Sequence, residues 1–534
     1  MPATHEADVV IVGTGTAGCV LANRLSADAT CRVIAIEAGP ADVNPWIGIP
    51  AGVARLFAHP RLTWQYHTAA EAQLAGRSLY WPRGKVLGGT SSINGMTYVR
   101  GQAADYDAWA GIAGDGWSYA AVLPYFRRLE SHPLGPSAWH GDEGPVRIGS
   151  ITHRHVLSDA FLAAMIAAGV PRNDDYNGAS QEGVSFNQVM MRDGRRVSAA
   201  SAYLAPARGR ANLEVLTHAL VRRVVFESRR AIGVEIERFG RRGVVRARRE
   251  VVLCAGTIAS PQLLMLSGIG PADDLQRLGI PIVADRERVG RDMQEHVRAS
   301  VVVRTLVPTL NQEGRGIALL REVLRYAVRR RGLLTATASQ VNAFVRSTED
   351  AARPDITVVF RPASGDYVGT RFVPHAFAGV MAMVGVMRPR SRGSVSLASA
   401  DPHASPTIVT GHLTAPEDAD LLLRGFEQVA ASGGHVREHR GKRLHDASVG
   451  RARWICSPRL SGVRHRQQRR IPSDMSSGRA TSTSTLPARL PTPTASSAAS
   501  EAEPEVAFNT TSPSAPASAN DARRTPGLLR CHTA

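Results

Sequence analysis

Three glycines and one acid near the N-terminus have the types and spacing of a site that binds a dinucleotide. Gly13, Gly15 and Gly18 form a Gly-x-Gly-x-x-Gly sequence, and Glu37 follows nineteen residues after the last glycine. Amides at a helix N-terminus bind a pyrophosphate, and an acid about 20 residues further on accepts a hydrogen bond from a ribose hydroxyl. Because an acid at this position disfavours a 2′-phosphate, the pattern favours FAD or NAD over NADP.

The surrounding segments supply the elements that such a site requires. Residues 9–12 are a continuous apolar run, as expected of a parallel strand that is covered on both faces. Residues 17–25 have the apolar spacing of a helix, and residues 32–37 have the pattern of a second strand. The three glycines would then allow, in order, a tight turn, a close approach of backbone to the pyrophosphate, and tight packing of the helix on the strand. A glycine-rich turn that binds nothing is the alternative interpretation.

A second glycine-rich segment lies at residues 81–96, with the sequence Trp-Pro-Arg-Gly-Lys-Val-Leu-Gly-Gly-Thr-Ser-Ser-Ile-Asn-Gly-Met. The small residues at 88–92 let the backbone pass close to a flat ligand, and their amides can form a nest that binds an anion. Considered alone, the segment is also compatible with a tight loop that has no ligand.

Two long segments resemble the signatures of the glucose-methanol-choline (GMC) family of flavin oxidoreductases. Residues 84–107 resemble the first signature, in which Tyr98, Gly101 and Asp107 also fall at matching positions. Residues 256–270 are similar to the second signature over its full length. Two independent motifs, in the expected order behind a dinucleotide fingerprint, make this resemblance specific.

The similarity is greatest to the choline dehydrogenase-like alcohol dehydrogenases of bacteria, and it covers about residues 6–432. It implies an α/β fold in which a Rossmann-like FAD-binding domain is joined to an α+β substrate domain built on a mainly antiparallel sheet. The FAD-binding domain is expected at residues 1–150 and 205–290, the substrate domain at 151–204 and 291–415, and a return helix at 416–434. The predicted strands of the antiparallel sheet are the apolar or alternating runs at 183–191, 298–303, 341–345, 355–360 and 379–387.

The resemblance implies a placement for FAD. The cofactor is expected to lie along residues 13–18, with its adenosine held by Glu37 and its isoalloxazine on residues 88–96. Some family members attach the flavin through a histidine, but Ile93 stands at that position, so non-covalent FAD is expected. The residues expected to contact FAD are Gly13, Gly15, Thr16, Ala17, Gly18, Glu37, Trp64, Arg83, Val86, Gly88, Gly89, Asn94, Gly95, Met96, Val221, Ala255 and Gly256. For Val221, a role in the core is the alternative.

The activity that the resemblance implies is oxidation of a primary alcohol, choline-like or aliphatic, to an aldehyde by hydride transfer to flavin N5. The reaction needs a positioned base that takes the hydroxyl proton, and histidine is the usual base because its pKa lies near neutrality. In the family this histidine lies in a His-Pro-x-Gly-Thr context and has a histidine or asparagine partner further on, and this sequence contains neither. His296 is expected to be structural, so the catalytic residues are unassigned. The electron acceptor, whether oxygen, a quinone or another carrier, is also unassigned.

Residues 435–534 differ in character from the rest of the chain. They contain 16 Lys and Arg against 7 Asp and Glu, and the part beyond Arg470 is rich in Pro, Ser, Thr and Ala. This composition predicts disorder. We hypothesise that the segment is read out of frame, which predicts a FAD-binding protein with impaired catalysis and a His-Pro-x-Gly-Thr motif in another frame of the coding DNA. Binding of nucleic acid or an acidic surface through this tail is a further alternative, which the lack of interleaved aromatic residues disfavours.

Composition also bears on the location of the protein. The formal net charge is +18, of which the tail carries half, so the body is only moderately basic. The scattered cysteines, without a Cys-x-x-Cys pair, suit a reducing compartment and argue against zinc; they are Cys19, Cys31, Cys254, Cys456 and Cys531. No run approaches the roughly 18 apolar residues of a membrane span, so a cytoplasmic protein without a transmembrane segment is expected.

Residues 317–334 have the pattern of an amphipathic helix. Its apolar side consists of Leu320, Val323, Leu324 and Ala327, with three arginines at helical spacing beside it. We expect the apolar side to pack on the core and the arginines to be solvated. A helix that lies on a membrane surface or docks an electron acceptor is the alternative, and it would make the protein peripheral to a membrane.

Overall fold

The computed structural model describes residues 5–314 and 316–438, with side chains up to residue 432. The main strands in these residues are β1 (His5–Val12), β2 (Val33–Ile36), β3 (Gly183–Phe186), β4 (Leu213–Leu216), β5 (Ala219–Glu227), β6 (Arg230–Arg238), β7 (Arg241–Leu253), β8 (Arg298–Arg304), β9 (Val341–Val345), β10 (Ile356–Arg361) and β11 (Gly379–Val386). The main helices are α1 (Thr16–Leu25), α2 (Ala103–Ala113), α3 (Tyr119–Leu129), α4 (Val156–Ala167), α5 (Gly256–Leu266), α6 (Gly316–Arg329) and α7 (Pro416–Glu438).

Shorter elements connect these strands and helices. Short helices lie at Pro45–Gly48, Val53–Phe57, Ala205–Ala207, Ala272–Arg277 and Leu310–Glu313, with 3-10 turns at Pro50–Gly52, Ala72–Leu74, Gly89–Ser92, Asp115–Trp117 and Leu333–Thr335 and a π-helical turn at Ala200–Leu204. Short strands lie at Thr63–His67, Tyr80–Gly84, Glu130–Ser131, Val146–Arg147, Gly149–Ser150, Gln188–Val189, Met191–Arg192, Arg195–Arg196, Ile269–Gly270, Ala284–Asp285, Gly365–Val368, Arg371–Pro374, Ser394–Ser396 and Thr407–Val409.

The first sheet has the strand order β4-β2-β1-β7-β6-β5. The strands from β4 to β7 pair in parallel, and β6 and β5 extend the sheet with antiparallel pairs. Alternate residues of β1 pack on opposite faces: Ile11 lies in one apolar cluster with Cys19 of α1, and Val10 lies in another with Leu263 of α5. This burial on both faces explains the continuous apolar run of β1. The predicted Rossmann-like sheet is confirmed.

The second sheet has the order β8-β11-β10-β9-β3, with an antiparallel pair at each step. The strands β8 to β11 fall within one residue of the predicted runs, whereas β3 covers only the first four residues of the run at 183–191. The predicted antiparallel sheet is confirmed. Alternate residues of β10 face opposite ways. Val358 and Phe360 pack in a cluster with α4 and α7, and the ring of Phe360 stacks on that of Phe161 at a centroid distance of 4.4 Å. Thr357 and Arg361 point to the other face, which lines a cavity.

The apolar side of α6 is not buried. Ile317, Leu320, Leu324 and Val328 are 75%, 69%, 65% and 73% exposed, and the buried residue of this helix is Tyr326. The prediction that this side packs on the core was therefore wrong, because amphipathic spacing defines a side but not what covers it. Across the described ranges, none of the helices combines the length and apolar character needed to cross a membrane.

The last described helix, α7, is anchored at its N-terminus. Asp418 is fully buried, and its carboxylate accepts hydrogen bonds from the N–H groups of Arg390 at 2.8 Å and Ser391 at 2.9 Å. A carboxylate in the first turn also interacts favourably with the helix dipole. The predictions for the basic and Pro/Ser-rich tail beyond this helix lie outside the described residues.

Candidate cofactor and substrate site

A cavity of about 2430 Å³ is lined by residues of both sheets. Val12, Ile36 and Leu253, at the carboxyl ends of the parallel strands β1, β2 and β7, line one side. Asn342 of β9 and Thr357 of β10 line the other side. Ligands of open α/β sheets bind beyond the carboxyl ends of the parallel strands. The cavity therefore joins a dinucleotide-type site to the inner face of the antiparallel sheet.

The turn between β1 and α1 requires glycine at two positions. Gly13 has φ of +91°, a left-handed conformation, and its N–H donates to the carbonyl oxygen of Ile36 at 2.8 Å. A Cβ on Gly18 would lie 1.9 Å from the carbonyl oxygen of Gly13, so a larger residue would force α1 away from the turn. Gly15, Thr16 and Ala17 at the start of α1 consequently line the cavity beside this turn.

The second glycine loop packs backbone to backbone on the first. The N–H of Gly88 donates to the carbonyl oxygen of Thr14 at 2.8 Å. A Cβ on Gly89 would lie 2.7 Å from the Cα of Gly15, which excludes any side chain between the two loops. The two loops thus form one continuous surface that is free of bulky side chains, as the flat or phosphate-bearing part of a ligand requires.

Glu37 lies at the end of β2 and is almost fully buried. Its Oε2 accepts hydrogen bonds from the N–H of Thr14 at 3.1 Å and from Thr14 Oγ1 at 2.9 Å, and its Oε1 accepts one from the N–H of Gly39 at 2.9 Å. Burial raises the pKa of Glu37, while these three donors favour its charged form. The carboxylate is therefore held in one orientation at the cavity wall.

Asn94 is held in place by a buried arginine. Its Oδ1 accepts hydrogen bonds from the guanidinium of Arg196 at 2.8 Å and from the N–H of Met96 at 3.0 Å. Arg196 also donates through Nε to the carbonyl oxygen of Ile47 at 3.0 Å, and burial lowers the pKa of Arg196 to about 9. The loop that carries Asn94 and Met96 is thereby fixed against the cavity.

Most of the residues predicted to contact FAD line this cavity. They are Gly13, Gly15, Thr16, Ala17, Glu37, Trp64, Arg83, Gly89, Asn94, Gly95, Met96, Val221, Ala255 and Gly256. Gly18, Val86 and Gly88 do not line it. Gly18 packs beneath the turn, Gly88 touches Thr14 as described, and Val86 is fully buried in an apolar cluster that also contains Ile93. Spacing along the chain predicted which loop these residues belong to, but not which way each one faces.

Sequence reasoning missed two arginines on the substrate side of the cavity. Arg298 of β8 and Arg361 of β10 line the cavity, together with Asn342, Thr357 and Met383. All five lie on the strand face opposite to the helix-covered face. A signal was present in the sequence, because Arg298 begins one predicted run and Arg361 directly follows another, each at a cavity-facing position of its strand.

A group of potential metal ligands lies outside the cavity, and its central histidine already has hydrogen-bond partners at both ring nitrogens. His132, His140 and Asp175 lie within 4.8 Å of one another. His140 Nδ1 lies 2.8 Å from Glu130 Oε1, and its Nε2 lies 2.9 Å from Asp175 Oδ1. Both ring nitrogens therefore donate to carboxylates, which leaves His140 without a lone pair for a metal. The group forms a charged hydrogen-bond network rather than a metal site.

The residues present fit a dinucleotide cofactor. At Gly13 and Gly89 a Cβ would collide with the backbone of Cys254 and Gly15, so the cradle is built from backbone alone, and Gly256 at the N-terminus of α5 has open space where a Cβ would stand. Helix N-termini of this kind attract phosphate. Together with the parallel sheet and the second, antiparallel sheet, these features define an α/β protein of the dinucleotide-binding class.

Comparison with known proteins identifies the family. Residues 7–298 match the family model of GMC oxidoreductases. The chain is 42% identical over 418 residues to an oxygen-dependent choline dehydrogenase of Sinorhizobium medicae, covering 77% of this chain and 75% of that protein. It is 39% identical over 454 residues to the mitochondrial choline dehydrogenase of Homo sapiens, covering 83% of this chain and 76% of that protein. The crystal structure of pyridoxine 4-oxidase from Mesorbium loti matches with a TM-score of 0.72 and 33% identity over 80% of each chain.

The chain belongs to the GMC oxidoreductase family, which confirms the resemblance drawn from its two signatures. Membership indicates FAD as the cofactor and oxidation of a CH–OH group as the reaction. FAD agrees with the glycine cradle and with the acid at the end of β2.

Proposed function

We propose that this protein oxidises a primary alcohol to an aldehyde inside the cavity between its two sheets. The observation that carries this proposal is the continuity of the cavity, which extends from the glycine cradle to the inner face of the antiparallel sheet. FAD, when bound, supplies the acceptor for the hydride that leaves the alcohol carbon. Of the two substrate classes that the resemblance implies, an aliphatic alcohol fits better than a choline-like cation, because Arg298 and Arg361 line the substrate side.

The chain's own residues have separate parts in this proposal. The amides at the start of α1 bind the pyrophosphate, and Glu37, oriented by Thr14, accepts a hydrogen bond from the ribose. The loop that carries Asn94 supports the flat ring system. The residues of β9 and β10 that face the cavity position the alcohol and exclude water from it.

We assign residues 1–150 and 205–290 to cofactor binding, and residues 151–204 and 291–415 to substrate binding. The distribution of strands supports this division, since the first sheet is built from the former ranges and the second sheet from the latter. A return helix to the cofactor side was expected at residues 416–434; α7 packs instead on the second sheet through Leu422 and Val429, so we assign it to the substrate side.

We infer that FAD is held without a covalent bond. Ile93 is fully buried among Ile47, Leu56, Leu62 and Val86, and an isoleucine offers no nucleophile to the flavin. The test is to precipitate the purified protein with acid and to measure the absorbance of the supernatant at about 450 nm, since FAD that is not covalently bound is released into the supernatant. Yellow colour that remains in the pellet would contradict the inference.

The base that takes the hydroxyl proton is not assigned to a described residue, and a FAD-binding protein with impaired catalysis is the second candidate. The expected family motif is missing from residues 435–534, which favours this candidate. The protein is desalted and mixed with a series of primary alcohols in the absence of oxygen, and the flavin absorbance is followed at about 450 nm. Bleaching of the flavin by an alcohol supports oxidation, whereas a yellow protein that no alcohol bleaches supports impaired catalysis.

We further propose a cytoplasmic protein that associates with membrane surfaces. The free, buried cysteines Cys19, Cys31 and Cys254 suit a reducing compartment. The exposed apolar side of α6 lies beside arginines, a combination that binds anionic lipid.

This association is tested by sedimentation with phosphatidylglycerol vesicles. The double substitution Leu320→Ser and Leu324→Ser is expected to reduce the bound fraction severalfold, since it removes apolar area from the exposed side of α6. Val43→Ser, at a residue that is 83% exposed on another surface, is the matched control and should bind as the natural chain does. Equal binding of all three proteins would contradict the proposal.

A further inference from the structure

We propose that the alcohol substrate carries an oxyanion, a carboxylate or a phosphate, which Arg298 and Arg361 bind on the floor of the cavity. The proposal rests on the proposed function, because it names the chemical class of the substrate of the same site. It distinguishes this chain's substrate from choline, which is a cation.

The two arginines project from the same face of the second sheet. Arg298 of β8 is paired with Gly385 of β11, and Gly385 is paired in turn with Thr357 of β10. Thr357 and Arg361 lie four residues apart on β10, so both face the cavity. One strand, β11, therefore separates the two arginine-bearing strands.

A glycine makes room for Arg298 to extend over the sheet. A Cβ on Gly385 would lie 2.8 Å from Cγ and 3.1 Å from Nε of Arg298. The arginine side chain therefore lies across β11 at the position where this strand has no side chain. The same Cβ would lie 3.1 Å from Cγ2 of Thr357, so Arg298 extends towards β10, the strand that carries Arg361.

Among residues 5–314 and 316–432, no acid is hydrogen-bonded to either guanidinium. Within the described part of the chain, the Nε atoms of Arg298 and Arg361 are buried and have no hydrogen-bond partner. The acid that acts on Arg298 is Glu295, which is shared with Arg83 at an N–O distance of 3.9 Å. The cavity-lining Asp366 is hydrogen-bonded to His375 at 2.8 Å. Positive charge is consequently in excess on this floor.

This arrangement is costly unless a ligand completes it. Burial lowers the pKa of Arg298 to about 10 and also lowers the pKa of Arg361. Arginine nevertheless keeps its charge in proteins, because the guanidinium is a very strong base. A buried guanidinium without a partner loses its hydration, and no hydrogen bond offsets the free energy that this loss costs. A bound carboxylate or phosphate offsets this free-energy cost, because its oxygens accept charge-assisted hydrogen bonds from the guanidinium. A quaternary ammonium would instead add a like charge to a desolvated site.

The experiment compares four probes by titration calorimetry on the full chain with saturating FAD. The probes are 4-hydroxybutyrate, 3-hydroxypropyl phosphate, 1,4-butanediol and choline. We expect one or both oxyanions to bind at least about tenfold more tightly than the neutral diol, and choline to bind most weakly. Preference between the first two probes separates a carboxylate site from a phosphate site, and either preference supports the proposal.

Three substitutions identify the site. Arg298→Gln and Arg361→Gln are each expected to weaken oxyanion binding about 10- to 100-fold, and to weaken oxyanion binding more than binding of the neutral diol. Arg298→Lys, which keeps the charge, should recover part of the affinity and shows that loss of fold is not the cause. Arg321→Gln, at an exposed residue of α6, is the matched control and should behave as the natural chain does.

Two results would overturn the proposal: binding of the diol or choline as tight as that of both oxyanions, or oxyanion binding that survives both glutamine substitutions. Failure of the proposed function is a separate result. If oxyanions bind through these arginines but no alcohol bleaches the flavin, the proposed binding site is supported and the proposed oxidation is refuted. If the diol bleaches the flavin as readily as 4-hydroxybutyrate does, the oxidation stands and the oxyanion preference is refuted.

Discussion

The charged network around His140 predicts that the protein loses stability as the pH rises. The imidazole is buried, lies between the carboxylates of Glu130 and Asp175, and stacks on His132 at a centroid distance of 3.9 Å. Although burial disfavours its charge, the hydrogen bonds to Asp175 and Glu130 raise the pKa of His140 from 6.5 to about 9. Folding therefore favours the protonated ring.

The size of the effect follows from this difference in pKa. A group whose pKa is higher in the folded protein contributes its full stabilisation below the unfolded value of 6.5, and loses it as the pH rises to about 9. At about 1.4 kcal/mol for each pKa unit, the loss between these two pH values is at most about 3 kcal/mol. Burial lowers the pKa values of His132 and His412, so their contributions change below this window.

The assay is urea unfolding at pH 6.5 and pH 9, for the natural chain and for His140→Gln. The natural chain should lose up to about 3 kcal/mol between the two values, while the glutamine variant, which cannot titrate, should be less stable at pH 6.5 and show a much smaller slope. His403→Gln, at an exposed histidine, is the control and should keep the natural slope. The reasoning is refuted if the natural chain and His140→Gln lose the same stability.

Further predictions concern the cradle and the core. Gly18→Ala should prevent accumulation of folded protein, since its Cβ clashes with the turn, whereas Gly111→Ala, with open space around it in α2, should raise stability by about 0.5–1 kcal/mol in urea unfolding. Glu37→Gln should weaken FAD binding about 5- to 150-fold in a fluorescence titration, because the amide cannot accept from Thr14 and Gly39 as two oxygens do. Phe360→Ala should cost about 3–5 kcal/mol in the same urea assay; a loss below 1 kcal/mol would contradict the packing of β10 on α4.

Local patterns in the sequence predicted the elements well. The glycine spacing predicted the turn after β1 because the requirement for glycine is steric and local. A Cβ on Gly18, for example, would lie only 1.9 Å from the carbonyl oxygen of Gly13. The second sheet was also predictable, since β9 coincides with its predicted run and β8 and β10 depart from theirs by one residue. Short, largely apolar runs between turns predict strands without information from the rest of the chain.

The orientation of single residues was less predictable. Val86 belongs to the predicted flavin loop, yet its side chain lies in the apolar cluster with Ile93. The helix α6 has the apolar side that its sequence predicts, but Leu320 and Leu324 are exposed on it. In both cases the pattern defines an element, and the neighbours that decide burial come from distant parts of the chain.

The sequence by itself determined the family, the cofactor and the order of strands and helices, because the glycine spacing, the two signatures and the apolar runs are each recognisable within a short segment of the chain. Only the tertiary structure decided the charge of the substrate side. Arg298 and Arg361 lie on the same cavity-facing side of the sheet because β11, a later strand, pairs between β8 and β10 and places Gly385 beneath Arg298. Such non-consecutive pairing brings distant residues onto one face of a sheet, and no spacing along the chain encodes it.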